Sequence, residues 1–225
     1  MQSGGGPTAP RRRYVLFDLD GTLTDPAEGI TRSAVHALRS RGYPAPEPEA
    51  LRWMVGPPVR ATFGRLAGTR DPAEIDALIA AYRERFAPVG MYENRVYPGI
   101  PELLADCVAA GCRLGLATAK PAVFARRILR HFGLTAHFSA VAGSYLDGRR
   151  SDKAAVIRHA LRLLGAEPAA AVMVGDRVQD VAGARACGVE AIAVRWGYAE
   201  PGELDAAGPT VVCTDEGELR RWLIG

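Results

Sequence analysis

Residues 14–22, Tyr14-Val15-Leu16-Phe17-Asp18-Leu19-Asp20-Gly21-Thr22, set a short apolar run against an abruptly polar ending. A run this short and unbroken reads as a buried central strand, of the kind covered on both faces in a parallel sheet. Asp18 and Asp20 stand two residues apart at its end, so their side chains leave the chain on the same side. Two carboxylates so close repel unless a cation or a shared proton relieves them. Magnesium suits an all-oxygen site of this kind and bridges carboxylates to phosphate oxygens. A pair of carboxylates also divides naturally into a nucleophile and an acid/base.

Outward from this strand the chain changes texture twice. Residues 27–92 are helical in pattern: Ile30, Ala34 and Leu38 recur at helical spacing until Arg41-Gly42. Residues 71–86 are the clearest helix, with Asp71 as N-cap, Pro72 in the first turn and Glu74 placed for a capping box. Ile75, Leu78, Ile79, Tyr82 and Phe86 make one apolar stripe that needs a cover. Val55-Gly56-Pro57-Pro58-Val59 reads as a stiff turn between helices.

After Tyr97-Pro98-Gly99 helices and strands alternate: helix 101–110, strand 114–117, helix 121–132, strand 140–142, helix 153–164 and strand 171–174. Helix 180–187, strand 191–194, strand 211–212 and helix 216–223 follow. Such alternation predicts a doubly covered parallel sheet, an α/β fold of Rossmann-like type, with the helical stretch inserted after the first strand. The expected division is a disordered lead-in at 1–10, a core of 11–25 plus 95–225, and a helical cap domain at 26–94.

Ligands of such sheets bind at the carboxyl ends of the strands. Asp18 and Asp20, Thr118, and Gly175-Asp176 all fall at strand ends on that rim. Thr118 offers a hydroxyl just before a helix whose first amides can bind an anion. Lys153, opening another helix, can neutralise phosphate. Asp176 can give magnesium a third carboxylate; Asp180 can hold a water of the metal shell or orient Lys153. Singly, each is explained as a cap, a turn or a solvated charge; in this order together they are not ordinary capping chemistry.

DLDGTLTD (18–25), LATAK (116–120), Lys153 and VGDRVQD (174–180) together resemble the four motifs of the haloacid dehalogenase-like (HAD) hydrolase superfamily. The insertion is similar to the helical C1 cap of its phosphoglycolate phosphatase branch, supported by VGPPVR (55–60), VYPGIPELL (96–104) and EGELRRWL (216–223). AGSYLDGRRSDK (142–153) resembles members described as 5′-nucleotidase-like. The resemblance implies that Asp18 attacks phosphorus to form an aspartyl-phosphate. It implies that Asp20 protonates the leaving oxygen and then activates water. It also implies that Asp18, the Asp20 carbonyl and Asp176 hold Mg2+, while Thr118 and Lys153 grip the phosphate and Asp180 supports the metal shell. Where relatives carry Asn or Ser, this chain has Ala119, whose amide still serves phosphate but whose side chain makes no polar contact. Gly56, Pro57, Pro58 and Arg60 are candidates to close over the site and select the substrate, with Lys120 reaching the leaving group; a rigid turn and an exposed helical arginine are the plain alternatives. The function so implied is a Mg-dependent phosphatase acting on a small phosphate monoester such as a 5′-nucleotide or phosphoglycolate. The alternatives are a sugar-phosphate mutase of the β-phosphoglucomutase type and a non-catalytic binding protein.

Composition limits the partners. The 225 residues are 48% hydrophobic and 24% charged, with a formal net charge of +3, an ordinary globular balance. Arg11-Arg12-Arg13 form the one dense basic cluster, without a basic face of interleaved aromatics, so no nucleic-acid polymer is expected. No run approaches the about 18 apolar residues of a membrane span, and the first ten residues lack an export-type apolar stretch. A cytoplasmic protein is expected. Cys107, Cys112, Cys187 and Cys213 form no CxxC pair and read as reduced thiols. His36, His131, His137 and His159 show no metal-ligand spacing.

Overall fold

A computed structural model of the protein describes residues 12–225, so the expected lead-in and Arg11 lie outside the described residues. Tyr14–Phe17 is strand β1, buried throughout. It lies inside a six-stranded parallel sheet of order β5-β4-β1-β6-β7-β8, formed with Arg113–Pro121 (β4), Phe138–Ser144 (β5), Ala171–Gly175 (β6), Glu190–Val194 (β7) and Val211–Cys213 (β8). The chain runs from β1 to β4 and β5 on one side, then returns to β6, β7 and β8 on the other. That reversal is the switch point where ligands bind in such sheets. Phe17 is level with Leu116 of β4 and Val174 of β6, so the residues that follow in all three strands emerge at one height.

Alternation along β1 splits the core in two. Val15 and Phe17 join one buried cluster, which includes residues of α4 (Ile100–Ala109), α5 (Ala122–His131) and α9 (Glu216–Ile224). Tyr14 and Leu16 join the other, with residues of α6 (Lys153–Leu164), α7 (Val178–Arg185) and α8 (Glu203–Ala207). Full burial of a Leu or Phe side chain contributes about 1.5–3 kcal/mol, so β1 is an anchor for both faces.

The insertion consists of α1 (Ala27–Ser40), a 3-10 turn (Pro48–Met54), α2 (Val59–Ala67), α3 (Pro72–Arg85) and a π-turn (Phe86–Gly90). Every member of the expected stripe, Ile75, Leu78, Ile79, Tyr82 and Phe86, is buried. Tyr82 stacks on Phe86, whose ring meets Phe124 of α5 edge-on. Asp71 caps α3 by accepting from the Ala73 amide, but there is no capping box. Arg41 takes the Glu74 carboxylate in a two-pronged pair, so Glu74 joins α1 to α3 instead of turning back on its own helix.

Other boundaries moved for physical reasons. The stiff turn ends earlier than expected, because Val59 already belongs to α2. Strand β4 continues to Pro121, so α5 begins at Ala122 and Thr118 does not directly precede it. Helix α7 starts at Val178, two residues early. Two short strands were not foreseen: Thr24–Asp25 (β2) pairs antiparallel with Arg95–Val96 (β3), clasping the two connections to the insertion. Helix α8 was also missed. Among the described residues no helix is long and apolar enough to cross a membrane. The four cysteines are free, and Cys107, Cys112 and Cys213 are buried.

Candidate active site

The loop after β1 is wound tightly. The amides of Leu23 and Thr24 both donate to Leu19 O, and the Gly21 amide donates to Thr24 O. The Asp18 amide donates to Val174 O at 2.9 Å, which pins the strand end to β6. Gly21, at φ +84°, lies so close to Asp176 that a Cβ there would fall 2.1 Å from Asp176 Oδ2. The loop therefore requires glycine on two counts, backbone conformation and space.

Three carboxylates, Asp18, Asp176 and Asp180, each offer an oxygen within 4.8 Å of the others, and all three are buried. Lys153, the first residue of α6, reaches into them: Nζ lies 3.0 Å from Asp18 Oδ2, 2.6 Å from Asp180 Oδ1 and 3.3 Å from Ala117 O. Burial pulls the Lys153 ammonium down, but the charges of Asp18 and Asp180 more than offset this and hold it above its ordinary value. Burial first, and then Asp180 and Asp18, push Asp176 well above the carboxylate range. Asp180 is pushed up to about 6 by burial, against the pull of Lys153. One ammonium does not neutralise three carboxylates.

The unmet charge has a definite place. Asp18 Oδ1 is buried with no hydrogen-bond partner, while its other oxygen is held by Lys153. The trio itself, three buried carboxylates faced by one ammonium, is an all-oxygen donor set that fits magnesium. Asp176 is already oriented for such a task, since Thr22 Oγ1 donates to its Oδ1 at 3.1 Å and the Tyr198 amide to its Oδ2 at 2.8 Å.

Asp20 is buried too, but its carboxylate stands outside that trio. Its Oδ2 pairs with Lys120 Nζ at 2.9 Å, and its Oδ1 has no partner. Burial raises its pKa against the opposing pull of Lys120. Lys120 in turn sits 4.6 Å from the Phe86 ring centroid, so the ammonium touches the insertion as well as the sheet rim. Thr118 is buried on that rim and its Oγ1 accepts from the Lys120 amide, within the end of β4 that stands where a helix N-terminus was expected.

Above Asp20 opens a chamber of about 350 Å³ between sheet and insertion, lined in part by Gly56, Pro57, Pro58, Arg60, Ala119 and Lys120. The expected substrate-facing residues therefore do meet at one place. Arg60 is half-exposed and paired with Asp76 of α3. A second cleft of about 400 Å³, beside Asp25, Arg52 and Arg95, touches none of the four buried aspartates around β1 and β6.

Sequence reasoning passed over several residues of this site. Thr22, Trp196 and Tyr198 brace Asp176, with Trp196 Nε1 donating to Thr22 O at 3.1 Å. Tyr198 also donates its hydroxyl to Asp25, which Arg95 holds at 2.6 Å. Arg177, buried between Asp176 and Asp180 in sequence, donates from Nη1 to Val55 O and from Nε to Glu203 Oε1, both at 2.9 Å. It joins the acidic loop to the turn that carries Gly56. The one local signal was Trp196-Gly197-Tyr198, which follows a strand ending on the same rim.

Known proteins agree with this architecture. A family model for haloacid dehalogenase-like hydrolases matches residues 15–194. A 5′-nucleotidase from Pseudomonas aeruginosa is 47% identical over 215 residues, covering 96% of this chain and 97% of its own. The tyrosine-protein kinase PtkA of Mycobacterium tuberculosis is 46% identical over 200 residues, covering 89% of this chain and 68% of its own. A crystal structure of a "predicted phosphatase" from Clostridium acetobutylicum superposes with a TM-score of 0.89 at 40% identity, covering 93% of this chain and 97% of that one. With its switch-point aspartates, its inserted helices and these relatives, the chain belongs to the haloacid dehalogenase-like hydrolases.

Proposed function

We propose that the protein is a magnesium-dependent phosphatase that removes phosphate from a small monoester, of the 5′-nucleotide or phosphoglycolate kind, through an aspartyl-phosphate on Asp18. The observation that carries this reading is the asymmetry of Asp18: Oδ2 is anchored by Lys153, and Oδ1 is buried and unengaged. A nucleophile needs one oxygen fixed and the other free.

In this mechanism Asp18 Oδ1 attacks phosphorus while Lys153 and Thr118 hold the phosphoryl oxygens. The bond to the leaving oxygen breaks, and protonated Asp20 gives that oxygen its proton. Burial favours the protonated form of Asp20, and Lys120 steers the carboxyl group. Ionised Asp20 then takes a proton from water, which attacks the phosphorus of the aspartyl-phosphate. Phosphate leaves and Asp18 is regenerated, so every proton borrowed is returned. Asp18, Asp176 and the Asp20 carbonyl would hold magnesium, which would supply positive charge against carboxylate repulsion and the charge of the phosphoryl oxygens. Residues 26–94 act as a cap domain over a core of 11–25 and 95–225, and the four free thiols suit a reducing cytoplasm.

Phosphate release from a panel of nucleotides, phosphoglycolate and sugar phosphates tests the reading, with and without added magnesium. Full turnover in excess chelator would reject the metal. Beryllofluoride with magnesium should inhibit and raise Tm; no change in either would reject Asp18 as nucleophile. Appearance of the phosphoryl group on a sugar or a tyrosine, with no release to water, would favour a transferase such as a mutase or a kinase.

A further inference from the structure

The chamber above Asp20 differs in character from the rim beneath it. Its walls come mainly from apolar side chains on both sides: Met54, Ile79 and Phe86 of the insertion face Phe124, Tyr145 and Leu146 of the sheet domain. Phe86 and Phe124 are buried by their own packing. Tyr145 and Leu146, in the loop between β5 and α6, leave 47% and 46% of their surface open. Both also line the chamber, so their open surface is available to a ligand there.

That loop is also held in place. The Tyr145 amide donates to Arg149 O and the Gly148 amide to Tyr145 O. The guanidinium groups of Arg149 and Arg150 lie 4.8 and 4.3 Å from the Tyr145 ring centroid, and Arg150 Nε donates to Gly143 O at 3.1 Å. Arg83 of α3 reaches across the chamber to donate to Leu146 O. The aromatic wall is therefore set before any ligand arrives, which lowers the ordering entropy that binding must overcome.

The charges around the chamber are partly matched. Three cations line it: Arg60 pairs with Asp76 and Lys120 with Asp20, while Arg83 donates to the neutral Leu146 O. Asp147 is matched by Arg149. A flat leaving group would lie against the apolar walls without displacing either ion pair.

We infer that the chamber selects a phosphate ester whose leaving group is flat and largely apolar, as a nucleoside is, and that Tyr145 is a specificity-determining residue contributed by the sheet domain. The inference rests on the phosphatase reading and narrows its substrate class. It assigns selection to both sides of the chamber, where the sequence pointed to the insertion and, from the sheet side, to Lys120.

The test compares kcat/KM for adenosine 5′-monophosphate, phosphoglycolate and acetyl phosphate at saturating magnesium. Acetyl phosphate has a leaving group too small to span the chamber, so its turnover reports the rim chemistry. The nucleotide should exceed phosphoglycolate by at least about tenfold. Tyr145→Ala should reduce the nucleotide-to-acetyl-phosphate ratio about tenfold, mainly through KM, and Tyr145→Phe should restore it. Equal or better use of phosphoglycolate overturns the inference, as does a Tyr145→Ala change that lowers both substrates alike. Turnover of acetyl phosphate without nucleotide preference would defeat only the substrate class. Absence of turnover with every substrate would remove the phosphatase reading and this inference with it.

Discussion

At the strand ends Asp18, Thr118, Lys153 and Asp176 are buried, and fixed neighbours orient them; in the chamber above, Tyr145 and Leu146 are nearly half exposed and meet their surroundings through van der Waals faces. The first region is organised by charge. There, one ammonium faces three carboxylates, and a single substitution changes the balance. The second is organised by shape and apolar area, spread over many side chains. Changes at the rim should therefore act on the chemical step, and changes in the chamber on substrate choice. The largest expected effect tests the first half of that statement. Asp18→Asn keeps the volume and removes the proposed nucleophile, so phosphate release should fall by at least about 10⁴-fold, with the far-UV circular dichroism unchanged. A loss under tenfold would mean that the rim is not where bonds are made.

Metal binding sharpens the same contrast through pH. Burial raises Asp176 and Asp180, the latter to about 6, so the metal-free native state binds protons that the unfolded chain releases near the ordinary carboxylate value. Proton linkage then favours the metal-free fold most in acid; the share from Asp180 is lost as pH rises through about 6, and that from Asp176 at higher pH. Magnesium competes with those protons and needs the ionised carboxylates. The Tm increase on adding magnesium should accordingly be small at pH 5 and larger at pH 8. At a hundred times its Kd the ion contributes about 2.7 kcal/mol, or about 5–10 °C for a chain of this size. A Tm increment that stays flat between those pH values would break the link between the trio and the ion.

The two regions also differed in how far they could be read beforehand. Asp18, Asp20, Thr118, Lys153, Asp176 and Asp180 were legible because each follows or opens an element with a clear local pattern, and parallel register brings strand ends together automatically. Their supports were not legible. Thr22 meets Asp176 across 154 positions, and Arg177 meets Val55 across 122. Such contacts obey no period that a linear pattern displays. The chamber was half legible: Gly56, Pro57, Arg60 and Lys120 were named from the sequence, while Tyr145, inside the stretch 142–153, was given no role because nothing local shows that it faces the insertion.

Arg177 belongs to both regions, which makes it a test of how independent they are. Its side chain ties the acidic loop to Val55 O and to Glu203, and Gly56 lies so close that a Cβ there would approach its Cγ at 3.2 Å. Arg177→Met keeps the apolar stem and removes both contacts. Losing a buried charged hydrogen bond of this kind costs about 1.5–3 kcal/mol. If only closure of the insertion feels that loss, KM should rise about tenfold with kcat nearly kept, and limited proteolysis should cut the insertion faster. An equal fall in kcat would mean that rim and chamber move as one unit.

Arg60 should give the smallest effect, and for that reason it discriminates well. It lines the chamber, yet its pair with Asp76 joins two half-open side chains of α2 and α3. Exposed pairs of this sort contribute about 0–1 kcal/mol. Arg60→Gln should therefore change KM by about twofold or less and leave the nucleotide-to-phosphoglycolate preference where it was. A tenfold rise in KM confined to one substrate would show that this guanidinium leaves Asp76 to meet the ligand. Selection would then rest on a charge from the insertion, and the contrast between a rim organised by charge and a chamber organised by apolar shape would fail at its upper end.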